Sequence, residues 1–262
     1  MNGIKGRLII GVVIALIGFV TYLTKTQTNP VTGEKQRVNL SVDQEIALGL
    51  QSTPQMVSEM GGESNDSKAN ALVDKVGANV VSKTEAGKSP FKFDFHLLAD
   101  SKTINAFALP GGQIFITTGL FKLLNSEDQL AGVLGHEVGH VINRHSSEQM
   151  AKQELTQQLV MATQVGSGGY SGAMISQYIG QMVGLKYSRN DELEADKFGV
   201  KYLIQCGYKP EAMIEVMEIL NESAGKNKNP EFLSTHPNPD NRIQKIKEDI
   251  QEFKNAGVQN NK

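Results

Sequence analysis

Apolar and polar positions divide this chain into stretches of different character. Residues 8–23 carry no charge and follow Lys5 and Arg7. The run is slightly short for a full span, so neighbours such as Ile4 and snorkelling basic side chains must contribute. It predicts an N-terminal membrane anchor over residues 1–25. A cleaved signal segment is the alternative, but no clean small-x-small cleavage site follows Leu23 and no early cysteine offers a lipid attachment. The positive flank should stay in the cytoplasm, placing the remainder beyond the membrane, the periplasmic side for a bacterium. Residues 26–40 are polar, contain Asn29-Pro30 and Thr32-Gly33, and read as a linker.

Helical spacing starts at Ser41, which with Gln44 has the form of a capping box. This helix carries Ile46, Leu48 and Leu50 and is expected to end near Pro54. Met60-Gly61-Gly62 breaks the chain, and a second helix follows over residues 66–82 with Leu72, Val73, Val76 and Val80 inward. Phe91, Phe93 and Phe95 then alternate with Lys92, Asp94 and His96, a strand signal that turns His96 outward. Residues 104–109 and 113–118 read as two more strands joined at Pro110-Gly111-Gly112. A small antiparallel sheet is expected, with an outer edge able to accept an extended peptide as a further strand. A covering loop is the alternative for that edge.

Another helix is marked by Ser126 and Gln129, again in capping-box spacing, followed by Leu130, Val133, Leu134, Val138 and Val141. Gly132, Gly135 and Gly139 lower its propensity and point to close packing against a neighbour. Residues 151–186 are rich in Gln, Met, Gly and Ser, and Gly166-Ser167-Gly168-Gly169 interrupts the pattern. Two helices with a mobile connection are expected, serving either as a lid or as an ordinary loose loop. Residues 253–262 read as a frayed tail. The pattern as a whole predicts a mostly helical α+β domain over residues 41–252.

Composition narrows this little. The chain is 39% hydrophobic with a formal net charge of −2, so it lacks the basic footprint that nucleic-acid binding demands. Cys206 is the only cysteine, which excludes an intramolecular disulfide and a cysteine metal cluster.

The chemistry concentrates at His136-Glu137-Val138-Gly139-His140, an H-E-x-x-H segment within helical spacing. Residues four apart share a face about 6 Å apart along the axis, so both imidazoles can reach one metal ion. Glu137 sits on the shoulder of that face, where a general base of a zinc hydrolase belongs. The alternative is a surface helix with two ordinary histidines. The chain holds only 5 histidines, which makes a chance match improbable.

Catalytic zinc normally takes three protein ligands and keeps one position open. The metzincin continuation fails, because Asn143 and Ser146 stand where Gly and His are needed. His145 lies about 180° around a continuous helix from His136 and so falls outside the site. Downstream, Glu192 and Asp196 are four apart on one helical face, while Glu194 points elsewhere. Glu192 as third ligand would leave Asp196 to accept the second N–H of a ligating histidine. An exposed acidic helix start is the alternative. Set beside the first motif, the ligand reading is preferred.

With H-E-V-G-H and E-L-E-A-D in this order, the chain resembles the gluzincin endopeptidases of the CAAX prenyl protease, HtpX and Oma type, and most of all their BepA-like bacterial periplasmic branch. Asn105-Ala106-Phe107-Ala108-Leu109-Pro110-Gly111-Gly112 resembles that family's edge strand and hairpin. Ser234-Thr235-His236-Pro237 with Arg242 resembles its C-terminal H-P…R element. The likeness covers about residues 40–250. It implies His136, His140 and Glu192 as zinc ligands, Glu137 as base, and Asp196 behind a ligand. It implies that His236 approaches from the open side, to stabilise an oxyanion or to occupy the fourth position and silence the enzyme. Arg242 would orient the site through a carboxylate, and Asn105 and Ala106 would lie along the substrate.

The resulting expectation is a membrane-anchored zinc endopeptidase that cleaves unfolded or misassembled envelope proteins. A membrane-anchored chaperone or assembly factor whose zinc is structural, closed by His236, is the alternative. A metal-dependent hydrolase of another bond is less well supported, since a strand edge beside the site suits peptides.

Overall fold

The computed structural model describes residues 4–167, 187–224, 230–237 and 241–259. In chain order the elements are α1 (Ile4–Thr24), β1 (Thr26–Thr28), β2 (Lys35–Arg37), α2 (Val42–Glu59), α3 (Ser67–Lys83), β3 (Asp94–Leu98), β4 (Ala106–Ala108), β5 (Gln113–Thr117) and α4 (Thr118–Phe121). Then come α5 (Glu127–Ile142), α6 (His145–Ser167), α7 (Arg189–Cys206), α8 (Ala212–Ser223), α9 (Glu231–Thr235) and α10 (Arg242–Gln259). The mostly helical α+β class is as expected.

Helix α5 is the centre of the fold, since every residue from 129 to 142 is buried. Its start follows from Ser126, whose hydroxyl accepts the Gln129 N–H. The box is not reciprocal: Gln129 Oε1 accepts instead from the Asn125 N–H at 2.7 Å. Val73 and Val76 of α3, Leu130 and Leu134 of α5, Leu203 of α7 and Met217 of α8 share one core cluster. Burying each such side chain contributes about 1.5–3 kcal/mol relative to exposure. Helix α7 approaches α5 almost backbone to backbone. A methyl on Gly135 would stand 3.6 Å from Gly199 Cα, and one on Gly139 would stand 3.1 Å from the Ala195 carbonyl oxygen. The glycines therefore set the depth at which α7 delivers its side chains to α5.

The sheet is mixed rather than wholly antiparallel, with order β3-β5-β4. β4 pairs antiparallel with β5, as the hairpin requires, but β3 pairs parallel with β5. The chain reverses direction after β3 and again at Gly111-Gly112, and two reversals restore the original sense. β5 takes the middle because all five of its residues are buried, which suits a strand covered on both faces. β4 is left on an edge. Gly111, at φ 85°, could carry no side chain: a Cβ there would stand 2.4 Å from Ile46 Cα. His96 does not face open solvent as expected. Its ring stacks on Phe115, which stacks on Phe107, with centroids 4.7 and 4.9 Å apart.

Four local expectations are corrected. Pro54 does not end α2, which continues through it to Glu59. The carbonyl freed by the missing N–H belongs to exposed Leu50, where water can serve it. Packing of Met56 with Leu98, Leu109 and Phe115 holds the second half in place. Residues 26–40 are not a free linker, because β1 and β2 pair as a hairpin. Buried Asn29 donates to the Ile142 carbonyl at 2.8 Å, tying that hairpin to the end of α5. The tail is not frayed from 253: α10 runs to Gln259, and Phe253 packs on the core. Finally, Gly166 does not interrupt α6, which extends to Ser167. The remainder of the expected lid, residues 168–186, lies outside the described residues.

Helix α1 is long and apolar enough to cross a membrane, and its large side chains, Leu16 and Ile17 among them, are exposed. An N-terminal signal sequence passes the same test. α6 lies alongside it.

Candidate metal centre

Two helices and one short segment converge on the site. His136, Glu137 and His140 occupy the last turns of α5. Helix α7 is phased by a reciprocal cap: the Ser188 hydroxyl accepts the Asp191 N–H at 3.2 Å, and the Asp191 carboxylate accepts the Ser188 N–H at 2.8 Å. From that start Glu192 and Asp196 face α5 one turn apart. His236 follows α9, where its ring stacks on Phe232 with centroids 4.2 Å apart.

Donor atoms of His136, His140, Glu192 and His236 lie within 4.8 Å of one another, and all four residues are buried. His136 Nε2 is 3.0 Å from His140 Nε2 and 3.3 Å from His236 Nδ1. Glu192 stands 3.5 Å from His136 Nε2, 3.4 Å from His140 Nε2 and 3.0 Å from His236 Nδ1. A tetrahedron with donors about 2.0–2.1 Å from its centre has edges of about 3.3 Å, so these spacings fit one small cation. Nitrogen lone pairs this close repel unless a positive charge lies among them.

The charges agree with that need. Burial is the largest influence on His136 and lowers its pKa, yet Asp196 and Glu192 outweigh it and hold the ring up at about 9. Burial keeps His140 well below the ordinary imidazole range. Burial also opposes ionisation of Glu192, but His236, Arg242 and the two α5 histidines hold it well below the usual carboxylate range. The surroundings therefore retain a positive charge between ionised carboxylates.

Asp196 Oδ1 lies 2.9 Å from His136 Nδ1, close but not aligned as a hydrogen bond. Arg242 grips the same carboxylate with Nε at 2.6 Å and Nη2 at 2.9 Å. Its Nη1 is 3.0 Å from Glu192 Oε2. Glu137 is distinct: both carboxylate oxygens are buried without a hydrogen-bond partner among the described residues, and burial raises its pKa. Glu137 Oε1 stands 3.7 Å from His236 Nε2. A buried carboxyl that makes no hydrogen bond among the described residues is unfavourable for stability and suits a group that exchanges a proton.

Asn105 and Ala106 are not in the cluster. Both are buried at the edge strand, where Asn105 lines an apolar pocket with Met56, Phe107, Leu109, Tyr187 and His236.

The contacts of His145, Glu194 and Tyr187 were not anticipated. His145 is placed outside the site by the continuous-helix argument, but the helix is not continuous. α5 ends at Ile142, Arg144 adopts a left-handed φ of 56°, and α6 restarts at His145. That break turns the His145 ring back, with its Nδ1 2.9 Å from His140 Nδ1. Glu194, expected to point elsewhere, lies 3.1 Å from His145 Nε2. Tyr187 stacks on His140 with centroids 3.9 Å apart, and its hydroxyl is 2.9 Å from Ser146 Oγ. No local pattern marks Tyr187 or Phe232, since both act through contacts across the fold.

The profile of peptidase family M48 matches residues 67–250. The chain is 30% identical to the beta-barrel assembly-enhancing protease of Yersinia pestis, over 82% of this chain and 45% of that protein. It is 28% identical to the protein of that name from Escherichia coli K12, over 85% of this chain and 47% of the relative. With the mitochondrial metalloendopeptidase OMA1 of Schizosaccharomyces pombe the identity is 31%, over 88% and 68%. The chain thus spans about half the length of the bacterial relatives it matches.

Proposed function

The chain belongs to peptidase family M48, and from that premise we propose a membrane-anchored zinc endopeptidase that cleaves unfolded or misassembled bacterial envelope proteins. The observation that carries this reading is the buried Glu137 carboxylate, without a hydrogen bond among the described residues, beside the His136–His140–Glu192 triad. Zinc held by that triad would activate water and polarise the scissile carbonyl. Glu137 takes the proton from the attacking water and passes it to the leaving amine, a role suited by its raised pKa. Asp196 faces the Nδ1 side of His136 and orients that ring, and Arg242 holds Asp196 and Glu192 in register.

Asn105 and Ala106 border the substrate channel in this reading. Among the described residues β4 has one neighbour in its sheet, and an extended chain adding to its other edge would run past the pocket towards His236. Such pairing uses backbone groups, which suits unfolded segments of many sequences.

His236 supports a resting state in which the fourth position is filled. Its Nδ1 sits within ligand spacing of His136 and Glu192. The same closure would serve a structural zinc site in a chaperone. Glu137 favours the enzyme, since a closed structural site has no use for a buried carboxylate that makes no hydrogen bond among the described residues.

α1 provides the anchor, and Lys5 and Arg7 before it favour a periplasmic catalytic domain. The relatives' names, which speak of β-barrel assembly, agree with envelope substrates. The deciding experiment is digestion of an unfolded protein such as casein with and without chelator, run beside Glu137→Gln. Chelator-resistant cleavage, or equal cleavage by the variant, would refute the assignment.

A further inference from the structure

From the hydrogen bonds behind His140 we infer that His145 and Glu194 form a positioning relay that fixes the tautomer and orientation of this ring. The inference rests on the reading of His140 as a metal ligand.

His140 turns Nε2 towards the cluster, 3.0 Å from His136 Nε2. A ring that offers its Nε2 lone pair carries its hydrogen on Nδ1, and that N–H needs an acceptor. The atom opposite is His145 Nδ1 at 2.9 Å. To accept, His145 must carry its own hydrogen on Nε2, and Glu194 Oε2 lies 3.1 Å from that nitrogen. The chain is consistent in only one direction: His140 donates to His145, and His145 donates to Glu194. A carboxylate cannot donate, so Glu194 fixes the tautomer of both rings.

Three helices meet in this relay: His140 is on α5, His145 on α6 and Glu194 on α7. Glu192 of α7 reaches the cluster directly, while Glu194, two residues on, passes behind and reaches His140 through His145. The break at Arg144 makes this possible, because a continuous helix would carry His145 to the opposite side. His145 is buried, whereas the Glu194 side chain is 38% exposed, so Glu194 can be altered with little cost to folding.

The test uses the full chain in detergent, stripped of metal, with zinc affinity measured by competition against a chromophoric chelator. Glu194→Ala and His145→Phe should each weaken zinc binding about 10–100-fold. Glu194→Gln, which keeps an acceptor oxygen, should recover most of the loss. Adding Glu194→Ala to His145→Phe should weaken binding no further, since the carboxylate acts only through that ring. Wild-type affinity in Glu194→Ala, or losses that add in the double variant, overturns the relay. His140→Ala separates the two readings. Retained affinity there overturns the ligand assignment itself, whereas lost affinity beside an unaffected Glu194→Ala overturns the relay alone.

Discussion

Arg242 and Asp196 form a two-pronged ion pair at the base of the metal cluster, with contacts of 2.6 and 2.9 Å and both side chains buried. Nothing local joins them, since they lie on α7 and α10. The pair holds Asp196 against His136 and reaches Glu192 with the remaining nitrogen.

Removing the arginine should therefore act on folding as well as on metal. Arg242→Leu leaves two buried carboxylates without their cation, at a cost of about 3–5 kcal/mol. Urea denaturation of the metal-free protein measures it. A loss under about 1 kcal/mol would show that the histidines alone balance these carboxylates.

Glu137→Gln should retain metal and lose cleavage by roughly 10²–10⁴-fold, the usual contribution of a positioned general base. The amide keeps the shape and removes the proton acceptor. Metal analysis and casein digestion of one preparation give both readouts. Metal loss in this variant would move Glu137 into the ligand set.

Glu192→Ala should behave in the opposite way and lose the ion, because a catalytic site with two protein ligands falls below the usual three. Metal content per chain after dialysis is the measurement. Full occupancy in the variant would show that His236 supplies the third ligand.

His236→Ala should keep the metal and raise cleavage of an unfolded protein, because in the proposed resting state the wild-type ring fills a position that the variant would free. Initial rates at equal metal content decide the sign. A fall would assign the ring to stabilising the oxyanion instead.

A retained anchor predicts that the intact mass of protein extracted from membranes still includes residues 1–25. A mass reduced by residues 1–25 or so would identify a cleaved signal segment.

Much of the candidate site was legible because its determinants are local. His136 and His140 are one turn apart, as are Glu192 and Asp196, and helical spacing alone puts each pair on a common face. The glycines of α5 announced the close approach of α7, and Gly135 against Gly199 is that approach. His236 and Arg242 were reached through family resemblance, since neither carries a local signal. Where local rules misled, packing was the reason. Pro54 reads as a helix end, yet Met56 and its neighbours hold the helix together beyond it.

The sequence by itself determined the starts of α2, α3 and α5, the shared helical faces of His136 with His140 and of Glu192 with Asp196, and the hairpin at Gly111-Gly112, because each depends on contacts within a few residues along the chain. Tertiary structure alone decided that β3 runs parallel to β5, that residues 26–37 pair into a hairpin under α5, and that Arg144 turns His145 back towards His140. Those outcomes depend on contacts between residues far apart along the chain, or on a left-handed turn that a non-glycine residue adopts only when its surroundings hold it there.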